Sequence, residues 1–339
     1  MVAMKLQTNF HSDSMFWKSG ILATNVKQVV TKLSEFDPRS GFWAIATTFE
    51  GDFLAVEFSD FIESEFPEST WQPALGNWNS SLNQGAYMKC VKAIQAEIAS
   101  GEVYQVNLCR VLNTEYKNSI AGLFSKILKE NPAPQAAYLR LNHSGISIEI
   151  ASASPELFIS RDGDQIKCSP IKGTNRVAEF GEKDRAENIM ILDLMRNDFG
   201  RICQPGSVEV TRLLDIESHP GLFHLVSDVE GKLKNGISWP EIFTQVLPAG
   251  SISGAPKSSA LKLISKLEKI NRGYYCGTFG YIHKDQAELS VGIRLFSKIN
   301  SSLSFGTGAG ITWASDPESE WNETELKANK LIAIASGKI

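Results

Sequence analysis

Apolar positions along the chain recur in blocks whose period switches between two and about 3.6. Ser40–Phe58 reads as a β-hairpin, with Phe42–Thr48 and Phe53–Phe58 flanking a Glu50-Gly51-Asp52 turn. The polar stretch Ile62–Asn83, rich in Pro, Ser, Trp and Asn, reads as a connecting loop. Tyr87, Val91, Ile94 and Ile98 fall at helical spacing before Ser100-Gly101. Val103–Val111 is strand-like, and Ser119–Lys129 is a short amphipathic helix stopped by Asn131-Pro132. Strands are predicted at Ala136–Leu141, Ile146–Ile150, Glu156–Ser160 and Gln165–Cys168, the last two joined by Asp162-Gly163-Asp164. A helix over Glu182–Arg196 precedes strands at Ser207–Leu214 and Leu222–Glu230. Helices at Pro240–Leu247 and Lys257–Ile270 lead into strands at Thr278–His283, Ala287–Phe296 and Leu303–Phe305. Asp316 can cap a final helix whose first turn holds Pro317. Long β-meanders with inserted helices, without strict βαβ alternation, predict an α+β fold with largely antiparallel sheets.

Composition narrows the partners. The 339 residues are 42% apolar and 21% charged, which suits a soluble globular chain of one or two domains. Thirty-four basic against 38 acidic residues give a net charge of −4, so no basic stripe invites nucleic acid. A small anion is not excluded, because a pocket can be locally basic. The N-terminal residues lack the charged and apolar regions of a signal peptide, and no apolar run approaches the ~18–20 residues of a membrane helix. The five cysteines are scattered without a Cys-x-x-Cys, as expected for reduced thiols in a cytoplasmic protein. No repeat of ~20–50 residues is present.

Several residues carry candidate chemistry. Asp184 and Glu187, and again Glu320 and Glu323, are spaced i, i+3 on predicted helices, so each pair shares a face. Two such faces meeting would suit Mg²⁺; alone, each is more often a solvated helix face. Gly306-Thr307-Gly308-Ala309-Gly310 lacks the following helix of a dinucleotide loop. It reads either as bare backbone N–H groups able to bind a carboxylate or as a tight turn or bulge. Ser251-Ile252-Ser253-Gly254-Ala255-Pro256-Lys257 opens a helix, where Ser253 could cap or the N-terminus could favour an anion. Lys172 becomes nucleophilic if desolvated, His224 could be a general acid or base, and Glu156, if buried, a general acid. The bland alternatives are a surface lysine, a satisfied core histidine and a solvated glutamate. The remaining histidines show no zinc-ligand spacing.

The order of motifs is more specific than any one of them. Gly101-Glu102-Val103-Tyr104-Gln105-Val106-Asn107-Leu108, Ser154-Pro155-Glu156-Leu157-Phe158 and Pro170-Ile171-Lys172-Gly173-Thr174 come first. Asp193-Leu194-Met195-Arg196-Asn197-Asp198, His224-Leu225-Val226-Ser227 and Ser253-Gly254-Ala255-Pro256-Lys257 follow, then Val291-Gly292-Ile293-Arg294 and Gly308-Ala309-Gly310-Ile311. In this order the chain from about Gln84 onward resembles the chorismate-utilising enzymes, of the anthranilate synthase component I type. The resemblance implies two largely antiparallel β-sheets packed as a sandwich with helices outside. It also implies one globular domain over residues 1–339, with a short hairpin-and-loop region at 1–83 and a catalytic region at 84–339.

The resemblance assigns Glu187 and Glu320 to Mg²⁺, with Asp184 and Glu323 nearby through water. It places the enolpyruvyl carboxylate against Arg294 and the backbone of Gly308, Ala309 and Gly310, with Tyr281 as a neighbour. Gly173, Thr174 and Ser253 join the substrate pocket, and Glu156 becomes the acid that helps the C4 hydroxyl leave. Gln105 stands where the isochorismate and salicylate branch carries a lysine, which disfavours that branch. Lys172, where anthranilate synthases typically have alanine, resembles the aminodeoxychorismate synthase component I branch, whose lysine attacks C2. His224 is shared with anthranilate synthases. No glutaminase signature is present, so ammonia is expected from a separate glutamine amidotransferase subunit or from ammonium. Anthranilate synthase component I, and a non-catalytic chorismate-binding scaffold for an amidotransferase, stand as alternatives.

Overall fold

A computed structural model describes residues 13–175, 177–219 and 222–339. Strands β1 (Met15–Lys18), β2 (Ile21–Val30), β3 (Phe42–Thr47), β4 (Phe53–Glu63) and β5 (Asn79–Ser80) precede helix α1 (Gln84–Ala99). Strand β6 (Gln105–Glu115) and helix α2 (Ala121–Glu130) lead to β7 (Gln135–His143), β8 (Ile146–Ser154), β9 (Leu157–Asp162), β10 (Gln165–Ser169) and β11 (Ile171–Asn175). Then come α3 (Glu182–Ile202), β12 (Glu209–His219), β13 (Leu222–Lys232), α4 (Trp239–Val246), β14 (Gly254–Ala255) and α5 (Lys257–Leu267). Strands β15 (Thr278–His283), β16 (Gln286–Val291), β17 (Leu295–Ile299) and β18 (Ser302–Ile311) precede α6 (Pro317–Ala335).

The strand pairings are antiparallel. One half of the sheet runs β6–β18–β17–β8–β7–β1–β2. The other runs β4–β3–β15–β16–β9–β10–β13–β12, and the β2–β4 pairing joins the two. Side-chain alternation shows how the halves stack. Phe42, Ala44, Leu54 and Val56 share a buried core with Leu139, Leu141, Ile148 and Ile150 of the opposite half. The intervening Trp43, Ile45 and Phe53 face outward onto Ile191, Phe199 and Phe243 of α3 and α4. Tyr138 and Ala151 face the other way, onto Phe124 and Ile127 of α2 and Leu331 of α6. The molecule is thus the α+β antiparallel sandwich with outer helices that the sequence implied.

The differences from the predicted elements are instructive. No strand was predicted before Ser40, yet β1 and β2 form there. Asn25, Lys27 and Gln28 interrupt the apolar pattern of β2, and its register with β4 shifts between Val26 and Gln28, so period two is lost. Residues 15–63 are therefore built into both sheet halves rather than forming a lone hairpin. The segment Ala287–Phe296, read as one strand, is two: β16 belongs to one half and β17 to the other. The glycines Gly306–Gly310 lie inside β18, paired with β6, and do not form a turn.

Helix α2 starts at Ile120 without a side-chain cap of its own. Glu149 of β8 serves instead. Its buried carboxylate accepts from Ile120 N (2.9 Å), Ser119 Oγ (2.6 Å), Tyr138 Oη (2.6 Å) and Lys298 Nζ (3.0 Å). Glu149→Ala strips all four donors of their acceptor and is expected to cost about 3 kcal/mol in urea unfolding. A loss below about 1 kcal/mol would mean that water replaces the carboxylate freely.

Candidate functional site

The chain passes between the sheet halves at Pro155-Glu156, from β8 to β9, and again at Gly292–Arg294, from β16 to β17. The two crossings lie side by side. The Val291 N–H donates to the Glu156 carbonyl (3.1 Å), and the Ala153 N–H to that of Arg294 (3.0 Å). Arg294 has a positive φ of 50°. Its guanidinium is largely desolvated, which lowers its pKa, and no carboxylate among the described residues pairs with it. A half-buried cation left unpaired is poised to receive an anion.

Lys172 sits at a bulge. Ile171 pairs with Val226 and Thr174 with His224, so β11 has one residue more than β13 across this interval. Gly173 supplies the positive φ of 83° there, and a Cβ on it would lie 2.9 Å from the Phe180 ring and 3.2 Å from Asp184 Cβ. The bulge aims Lys172 away from the regular pleat, and its Nζ donates to the Ser251 carbonyl at 3.0 Å. The Ser251 side chain also hydrogen-bonds to Glu156. Burial pushes the Glu156 carboxyl up to about 7, against the lowering pull of Ser251 and Lys172. Burial holds the Lys172 amine below its usual range, against the attraction of Glu156 and Glu187. These shifts favour a protonated carboxyl beside a neutral amine, the forms in which the two can act as acid and nucleophile.

Two further carboxylates, Glu187 and Glu323, act on Lys172, and Glu320 lies close enough to act on Glu187. Glu187 and Glu320, from α3 and α6, share the ammonium of Lys183, at 3.9 and 3.5 Å. Glu320 also accepts from Ser315 Oγ (2.5 Å). Burial raises the Glu187 pKa, although Lys172 and Lys183 oppose it. Glu323 pairs with Lys327 at 2.6 Å; burial raises its pKa, but Lys327, with Lys183 and Lys172, outweighs burial and the net shift is downward. Asp184 accepts from the Gly181 N–H (3.2 Å) at the start of α3. Among the described residues, no three His, Cys, Asp or Glu side chains converge closely enough to enclose an ion. Mg²⁺ does not require such a cage, because it commonly uses one or two carboxylates, several waters and the substrate. Glu187 and Glu320 are two carboxylates from different helices that already share a cation.

Gln105 is buried, and among the described residues neither its amide nitrogen nor its oxygen has a hydrogen-bond partner. It lies over Gly310, where an added Cβ would stand 2.3 Å from its Nε2. Beyond Phe305, β18 continues along β6 after its pairing with β17 ends. The Gly308 carbonyl accepts from Lys327 Nζ (3.1 Å) instead. In an extended strand N–H and C=O point to one side, so the Gly308 N–H lies on that same edge. Ala309 is buried in the core beneath α1 and α5.

Ser253 is buried and its hydroxyl donates to Ala249 O (3.0 Å), while Pro256 occupies the cap position of α5. His224 is buried on β13, opposite Thr174 and Glu217 in the adjoining strands. Tyr281 does not join the cluster. Its ring stacks on Phe42 (centroids 5.2 Å apart), and it lines a separate cavity with Gln135, Arg161 and Glu288. The alternation of β15 turns it toward the sandwich core together with Phe279. The side chain of Thr174 lies outside the described residues. Sequence reasoning missed Ser251, Lys183 and Lys327. The lysines left a signal: Lys183 precedes Glu187 and Lys327 follows Glu323 by one helical turn.

A family model described as chorismate binding enzyme matches residues 45–333. Aminodeoxychorismate synthase component 1 of Salmonella typhimurium is 36% identical over 270 residues, 75% of this chain and 58% of that protein. Anthranilate synthase component 1 of Aquifex aeolicus is 32% identical over 275 residues, 77% of this chain and 55% of that protein. The chain thus spans a little under three fifths of these relatives. The crystal structure of a Bacillus anthracis protein described as a putative 2,3-dihydroxybenzoate-specific isochorismate synthase superposes with a TM-score of 0.79. That match covers 98% of this chain and 97% of that one at 21% identity, and it speaks for the fold. With its sandwich, its crossings and these matches, the chain belongs to the chorismate binding enzyme family. Among the described residues no helix is long and apolar enough to cross a membrane.

The Glu156 carboxyl titrates near 7 when folded and near 4.5 when free. Between those values the folded chain keeps a proton that the unfolded chain releases, so this contribution to stability falls as pH rises. Glu156→Gln should flatten that part of the stability curve, read as urea midpoints from pH 4.5 to 7.5. An unchanged slope would place the titration elsewhere.

Proposed function

We propose that the chain is the chorismate-aminating component of an aminodeoxychorismate synthase, replacing the C4 hydroxyl of chorismate with an amino group. The observation that carries this reading is Lys172 at its bulge, with a depressed pKa and Glu156 alongside. The neutral Lys172 amine attacks C2 of the ring. The ring double bonds shift, the C4–O bond breaks, and Glu156 gives its proton to the departing hydroxyl, which leaves as water. Ammonia then attacks C4, the double bonds return, and Lys172 is released. The product, 4-amino-4-deoxychorismate, retains its enolpyruvyl group, and a separate lyase would yield 4-aminobenzoate for folate.

The unpaired Arg294 and the Gly308 edge of β18 suit the enolpyruvyl carboxylate. Glu187 and Glu320 would hold Mg²⁺, with Asp184 and Glu323 reaching it through water. When bound, Mg²⁺ would neutralise the ring carboxylate. Gln105 offers a free amide where a lysine would direct water to the ring, which agrees with amination over hydration. The relatives' name, component 1, supports a second subunit, read here as a glutamine amidotransferase supplying ammonia in the cytoplasm.

Chorismate, ammonium and Mg²⁺ should give 4-amino-4-deoxychorismate as the main product by chromatography. Lys172→Ala should lower that rate by about a hundredfold or more. Anthranilate as the main product would replace this reading with an anthranilate synthase. Calorimetric chorismate binding without turnover would leave a scaffold.

A further inference from the structure

Lys183 breaks two local rules. It stands in the first turn of α3, where the helix dipole disfavours a cation. It also lies four residues before Glu187, the weaker order for a helical ion pair. What holds it there is a long-range contact. Its Nζ reaches Glu320 Oε1 of α6 at 3.5 Å, and the Glu320 side chain is only 5% exposed. Ser315 and Lys183 are the partners of that buried carboxylate. The Lys183 side chain is itself about half exposed, at 52%, so it can swing into water without crossing the core.

We infer that Lys183 is an internal counter-ion of the Glu187–Glu320 pair, occupying the place of a divalent cation and leaving it when that cation binds. The inference rests on the Mg²⁺ assignment above and adds a competitor to it. Two carboxylates from different helices would repel each other without a cation. The ammonium keeps α3 and α6 together while the site waits, and it sets a threshold that a divalent ion must exceed. A monovalent amine tethered to α3 can be displaced by a divalent ion that both carboxylates face at shorter range.

Two measurements test this. Titration of the protein with Mg²⁺ alone, by calorimetry, should show Lys183→Met binding about three- to tenfold more tightly than wild type. Lys183→Arg should stay near wild type. Without Mg²⁺, Lys183→Met should melt below wild type, and saturating Mg²⁺ should close the gap. The second measurement uses the wild type. Acetylation by a water-soluble amine reagent, read peptide by peptide by mass spectrometry, should speed up at Lys183 about threefold or more when Mg²⁺ is added. Equal or weaker Mg²⁺ binding by Lys183→Met overturns the counter-ion and leaves the metal assignment standing. Lys183 labelling that does not respond to Mg²⁺ bound by calorimetry overturns it as well. Absence of Mg²⁺ binding by both proteins overturns the counter-ion and the metal assignment together.

Discussion

The buried pair Arg272–Glu268 fixes the geometry on which the site rests. Arg272 meets Glu268 in a fork, Nε to Oε2 at 2.8 Å and Nη2 to Oε1 at 2.7 Å. Its remaining donors reach the Ile252 carbonyl (3.0 Å) and the Asn107 carbonyl (2.7 Å), while Glu268 also accepts from the Cys109 N–H (2.8 Å). The guanidinium lies 4.0 Å from the centre of the Phe49 ring. One ion pair thus binds the end of α5 to β6 and to the Gly250–Ile252 turn. Either charge left alone there would be costly, so the arrangement has little freedom. That turn carries Ser251, which touches both Lys172 and Glu156, and β6 carries Gln105. A second buried pair, Lys257–Asp198 at 2.6 Å, ties the start of α5 to α3, the helix that bears Glu187.

The sandwich contributes a different constraint. Its two halves meet through an apolar core that needs no polar partners, whereas the crossings between them bring Glu156 and Arg294 to adjacent backbone. Regular strands would have turned these side chains into the core or out to the helices. The bulge at Lys172 acts similarly on the neighbouring strand. The chemistry gathers where the pleat is interrupted, and the long regular strands around these points hold the interruptions still.

An acidic chain proposed to take a dianion would have to manage its own repulsion. Here the cations are interleaved with the carboxylates: Lys183 between Glu187 and Glu320, Lys327 on Glu323, and Lys172 beside Glu156. Among the described residues, Arg294 is held apart without a carboxylate. The net charge of −4 therefore says little about the local field that a ligand would meet.

The sequence alone determined the helices with clear 3.6 periodicity, the antiparallel α+β character and, through the order of its motifs, the family. It also singled out Glu156 and Lys172 from their neighbours and Glu187 and Glu320 from their helical spacing, while Arg294 came from the family resemblance alone. It missed β1, and β2, where a bulge erased the alternation, and the break at Gly292–Arg294, where an apolar run passes from one sheet half to the other. It misplaced Tyr281, whose direction depends on the pairing of β15. Only the tertiary structure decided that Lys172 meets Ser251, 79 residues away, and that Lys183 faces another helix. Those contacts arise from strand register, crossings and helix packing, which join distant segments and leave no periodic trace in the chain.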